Sequence, residues 1–152
     1  MDTDSIIQII AIIILLVMSA FFSSAETAYM TVNKIKIRSL VGKGNKRAAI
    51  VDKIINNSSK MLSTILIGNN IVNLSASTIL TTLVIHLFGN YATGIATGIM
   101  TILVLIFGEI SPKNAATVHA DKIALAYAPV INLLMYLFTP IIFIVDKLSG
   151  GV

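Results

Sequence analysis

The 152-residue chain has no cysteine, which excludes disulfides and thiolate metal sites. Charge is scarce as well. Charged residues make up 12% of the chain against 56% hydrophobic, and the mean hydropathy is +0.91. A soluble domain of this length needs far more polar surface. There is no GxxxxGK[ST] phosphate loop either, so nothing in the sequence marks nucleotide hydrolysis, and the reading is of a protein that is not an enzyme.

What is present are long runs without Asp, Glu, Lys or Arg: Ser5 to Ala25, Met61 to Gly108 and Ile123 to Val145. A span takes about 20 apolar residues, so the middle run has room for two crossings. It divides at Phe88-Gly89-Asn90-Tyr91, a turn signal between aromatic residues suited to a membrane interface. Eight of the eleven basic residues lie between the first two runs, from Lys34 to Lys60. That placement reads as a cytoplasmic loop under the positive-inside rule, not as a nucleic-acid surface. Ser23-Ser24-Ala25 has the small residues of a signal-peptide cleavage site, but Asp2-Thr3-Asp4 is acidic where a signal peptide is basic.

These features predict an all-α integral membrane domain covering 1–152. Spanning helices are expected at about 5–32, 60–88 and 91–110, with the N-terminus outside. Apolar residues at helical spacing on both sides of Gly42-Lys43-Gly44-Asn45 predict two short cytoplasmic helices within about 33–59. The last run is long enough for a fourth crossing, but Pro129 and Pro140 favour bends. The expectation is therefore three spans plus a bent juxtamembrane helix over about 113–147 along the inner face.

Polar residues inside apolar helices need an account, because an unpartnered buried polar group is costly. Ser19, Ser23 and Glu26 project from roughly one helix face. Serines alone are also explained by back-bonding or close packing, and Glu26 by hydration near the helix end. In Gly68-Asn69-Asn70-Ile71-Val72-Asn73, Asn69 and Asn73 share a face and Asn70 lies about 100° away. Interhelical hydrogen bonding is the plainer explanation there. In Gly108-Glu109-Ile110-Ser111-Pro112-Lys113, Pro112 has no N–H to give the Gly108 carbonyl, which leaves a backbone oxygen beside a carboxylate. Broken helix geometry is tolerated at membrane depth where it lines a site; otherwise Glu109 reaches water or Lys113 at a helix end. Hydroxyls, amide oxygens, a carbonyl and one or two carboxylates suit a hard cation such as magnesium, calcium or sodium. His86 and His119 read as interfacial residues, and Gly94 with Gly98 forms a weak GxxxG signal for helix pairing or dimerisation.

Ser19-Ala20-Phe21-Phe22-Ser23-Ser24-Ala25-Glu26-Thr27-Ala28, the asparagine motif and the Gly108–Lys113 motif together resemble the CorC/CNNM (cyclin M) magnesium transporter family, in order and spacing. The resemblance covers essentially the whole chain. It implies a plasma-membrane homodimer with three spans per subunit, cytoplasmic helices and a belt-like juxtamembrane helix. It also implies a cytosolic, ATP-binding CBS pair following this domain in the full-length protein. By position, the implied magnesium ligands are Ser19, Ser23, Asn70, the Gly108 carbonyl and Glu109, with Asn69, Asn73 and Glu26 supporting the site or contacting sodium. The implied activity is sodium-coupled magnesium efflux by alternating access. A membrane-embedded regulator or scaffold and a passive divalent-cation channel are the readings of other classes.

Overall fold

The computed structural model describes residues 3–150, all of them in helices or the short turns between helices. The order is α1 (Thr3–Thr31), α2 (Lys34–Gly42), α3 (Lys46–Asn56), α4 (Ser58–Phe88), a 3-10 turn (Asn90–Ala92), α5 (Thr93–Leu103), a π-helical segment (Val104–Ile110), α6 (Ser111–Val118), α7 (Ala120–Leu137) and α8 (Thr139–Gly150). Among the described residues, four stretches are long and apolar enough to cross a membrane: Thr3–Thr31, Ser58–Phe88, Asn90–Val118 and Ala120–Leu137. The fourth is the stretch expected to lie along the inner face. By length and composition it qualifies with the other three.

The chain packs as two compact units, and the first comprises Met1–Ser24 with Gly68–Asn114. Its buried positions fall at helical spacing: Ile12, Ser19 and Ser23 on α1, Gly68, Val72, Ala76 and Leu83 on α4, and Ala96 and Met100 on α5. Many of these are small, which lets helices approach closely where apolar burial gives no driving force between them. The opposite faces carry exposed Ile10, Ile14 and Val17 on α1 and Ile95, Ile99 and Ile102 on α5, as lipid-facing helices do. Threonines on the outer faces donate back to their own helices, Thr78 to the Leu74 carbonyl and Thr97 to the Thr93 carbonyl, which removes free donors from an apolar surround.

The second unit comprises Ala25–Ile67 with Ala115–Val152. Asn33 and Asn45 cap α2 and α3 by accepting from the backbone N–H of Lys36 and Ala48. Between these helices Gly44 sits at φ +85°, a conformation that strains any residue with a Cβ. Ala48, Val51 and Ile54 of α3 are buried, as are Ala124, Ala128, Ile131 and Met135 of α7, and the two helices pack together. The Tyr29 hydroxyl donates to the Ala124 carbonyl at 2.8 Å, and Asp121 accepts from the Asn33 backbone N–H while pairing with Lys36.

Pro129 interrupts no helix, whereas a break at Phe138 falls beside Pro140. Pro129 lies inside a continuous α7 and removes the donor for the Leu125 carbonyl four residues earlier. The Arg47 guanidinium of α3 donates to that carbonyl and to the Ala126 carbonyl, at 3.4 and 3.5 Å. The stretch from 113 to 147 is not one helix: it is interrupted at His119 and again at Phe138. Pro140 is the second residue of α8, where a missing N–H costs little.

Candidate functional site

The first unit gathers four of the residues expected at a cation site. The Ser19 hydroxyl of α1 donates to Asn69 Oδ1 of α4 at 3.1 Å, and Asn69 Nδ2 donates to Glu109 Oε1 at 3.2 Å. One amide thus joins a hydroxyl on α1 to a carboxylate in the π-helical segment. Gly108 completes the cluster. A Cβ built on it would lie 2.7 Å from Ser19 Oγ, so only glycine lets α1 approach this closely.

The π winding holds Gly108 and Glu109 in place. The Ser111 N–H bonds to the Ile106 carbonyl, five residues back, in place of the α-helical partner four back. The helix is therefore not broken at Gly108–Lys113, as expected from the sequence. It is wound more widely and continues through Pro112 to Val118. Pro112 is the second residue of α6, and its missing N–H bears only on the Gly108 carbonyl. Single π turns inside α-helices are frequent at functional sites.

The other Glu109 oxygen pairs with Lys113 Nζ at 3.4 Å, one turn along. Both oxygens of the carboxylate are thus engaged, one by a neutral amide and one by an ammonium. The Glu109 side chain keeps 25% of its surface exposed. It is neither sealed in apolar packing nor free in solvent.

Ser19 and Ser23 are fully buried, and Ser23 Oγ has no hydrogen-bond partner; Asn73 Oδ1 on α4 is likewise buried without one. Orphaned buried oxygens are rare and costly. Asn70 stands apart from this group on the exposed side of α4. Glu26 belongs to the second unit and is half-exposed. Gly94 and Gly98 are exposed on α5, and a Cβ at either would meet nothing within 4 Å.

Two features of the site had no clear signal in the sequence. One is the π winding. The other is the seat of Phe22 against Gly68, where a Cβ on the glycine would lie 2.6 Å from the ring. A glycine opening an asparagine-rich motif was its only trace. Among the described residues no three His, Cys, Asp or Glu side chains gather as a metal cluster. The side-chain oxygens that do gather are those of a hydroxyl, an amide and one carboxylate, a set that matches hard cations.

The chain is 39% identical over 137 residues to a UPF0053 protein of Haemophilus influenzae, an alignment covering 90% of this chain and 33% of that one. It is 36% identical over 131 residues to the UPF0053 inner membrane protein YfjD of Escherichia coli, covering 86% and 31%. A polyamine export protein of Haemophilus influenzae is 27% identical over 155 residues, covering 93% and 36%. The chain thus spans about a third of the length of these relatives. The family model of the cyclin M transmembrane N-terminal domain matches residues 10–152. The chain belongs to the CNNM family of membrane proteins, a family linked to magnesium transport.

Proposed function

We propose that this chain carries magnesium across the plasma membrane, as a sodium-coupled exporter working by alternating access. The observation that supports it is the hydrogen-bonded series Ser19–Asn69–Glu109, closed by Gly108 inside apolar helices. Magnesium dehydrates reluctantly and favours a compact set of oxygens that includes a carboxylate. Ser19, Ser23, Asn69, the Gly108 carbonyl and Glu109 provide one. Asn69, bonded on both sides, takes the ligand role that the family pattern gave to Asn70; Asn73 supports the site or meets sodium. An arriving dication displaces the Lys113 ammonium from Glu109 and turns the Asn69 carbonyl oxygen toward itself.

Moving a dication out against an inside-negative potential costs roughly 4.6 kcal/mol per 100 mV. The described residues contain no phosphate loop to supply this, whereas sodium entry supplies it by running down its own gradient. In the arrangement we favour, α1, α4 and the Asn90–Val118 stretch span, and α7 with α8 lies as a belt on the cytoplasmic face. Two copies form the working unit, and the cytosolic CBS pair of the full-length protein binds ATP.

The test is magnesium flux in liposomes holding the purified chain, with and without a sodium gradient. Flux that requires sodium and runs opposite to it is expected. Flux indifferent to sodium would mean a channel, and no flux with intact magnesium binding would mean a regulator. The relative named a polyamine export protein supplies the rival cargo. A polyamine carries several ammonium groups spaced along a chain and calls for several spaced acceptors, while this cluster has one carboxylate. Spermidine is therefore expected to compete poorly with magnesium, and strong competition would favour the rival.

A further inference from the structure

The second unit contains a cavity of about 440 Å³ between α3 and α7, at the start of α4. Lys53, Asn57, Lys60 and Asn132 line it, together with the apolar side chains of Ile54 and Leu133. None of its lining residues is acidic. Among the described residues neither lysine has an ion-pair partner and neither amide side chain has a hydrogen bond. Two cations and two amides thus converge on one concave space with nothing of the protein to neutralise them.

We propose that this cavity binds the phosphate headgroup of an anionic phospholipid, from the leaflet on the side of α2 and α3. The ligand chemistry is a phosphate oxyanion, which ammonium groups and amide N–H donors recognise. A lipid source is favoured by position. Lys60 is the last charge before the uncharged run from Met61 to Gly108, so the cavity lies where hydrocarbon gives way to water. Its apolar wall suits the glycerol and first acyl carbons, which a free phosphate would leave uncovered. Basic pockets beside transmembrane helices hold anionic headgroups for these reasons. The proposal does not depend on the cation site, which lies in the other unit.

The test uses the detergent-solubilised, delipidated chain, with bound dioleoyl phosphatidylglycerol counted by native mass spectrometry. Phosphatidylglycerol is expected to bind well ahead of phosphatidylcholine. Removing both charges, with Lys53→Gln and Lys60→Gln together, is expected to weaken binding roughly tenfold or more. A matched loss of charge outside the cavity, Lys34→Gln with Lys43→Gln, is expected to leave it unchanged. Equal loss in the two double variants would mean diffuse attraction to a basic surface and would overturn the site. Glycerol 3-phosphate displacing the lipid at equal concentration would overturn the lipid as occupant. If the double lysine variant does not fold, Asn132→Leu keeps both charges and is expected to weaken binding by removing one donor; unchanged binding there counts against the proposal.

Discussion

Glu109 holds the only formal negative charge in the Ser19–Asn69–Gly108–Glu109 cluster, and its two oxygens are divided between an amide and an ammonium. Glu109→Gln keeps the shape and the Asn69 contact but removes the charge that a dehydrated dication needs. Magnesium affinity is expected to fall about tenfold or more, with the size-exclusion profile unchanged. Ser23→Ala is expected to weaken binding less, since it removes one neutral oxygen, and to leave the fold at least as stable because that hydroxyl has no partner to lose. Calorimetric titration of both variants checks the order, and wild-type affinity in Glu109→Gln would remove the cation-site reading. Gly108→Ala places a methyl 2.7 Å from Ser19 Oγ. The serine must turn away or α1 must retreat, so binding is expected to fall although no side-chain ligand has been deleted. The oxygens of this site were legible in the sequence as polar letters in apolar runs. Which asparagine would join the others was not. Asn69 and Asn70 are chemically identical neighbours, and only the phase of α4 against α1 places one inward and leaves the other exposed.

Elements show the same division between local and tertiary causes. The break between α2 and α3 has a local cause in Gly44 at positive φ followed by the Asn45 cap, and such chemistry is written in adjacent residues. The effect of Pro129 is tertiary. Its orphaned Leu125 carbonyl faces Arg47, a residue 78 positions away, and α7 stays continuous with its help. Arg47→Met keeps much of the apolar stem and removes the donors. The contacts are long and exposed, so the expected loss is modest, about 1 kcal/mol in denaturant or thermal unfolding. A distinguishing control is Pro129→Ala, which restores the backbone donor; in that background Arg47→Met is expected to cost almost nothing. Full cost in both backgrounds would mean that Arg47 stabilises the unit by some other contact. The π segment had no comparable local signal, because seven apolar-rich residues are too few to separate α from π periodicity.

For the whole molecule, the all-helical membrane character follows from uncharged run lengths, which are a property of sequence alone. The number of crossings does not follow in the same way, since Ala120–Leu137 satisfies the length and composition of a span while also presenting Ala124, Ala128 and Ile131 to burial. The missing cysteines make the question open to labelling, because any introduced thiol is unique. Asn45→Cys and Ser149→Cys are expected to react from the cytoplasm and Asn90→Cys from outside; reaction of position 149 from outside would establish a fourth crossing. The π winding described above has a last consequence, in terms of chain length. A π turn contains one residue more than the α turn it replaces. Deleting Ile106 lets the segment close into α geometry without opening a gap, and because the bulge absorbs the lost residue Glu109 keeps roughly its angle about the helix axis relative to α5. The expected product is a shorter, well-folded protein that keeps Glu109 on the same face and still binds magnesium; loss of binding with an intact fold would show that the π winding itself shapes the site. The same deletion made in α5, at Ile99, has no extra residue to absorb it and is expected to disrupt the helix packing itself.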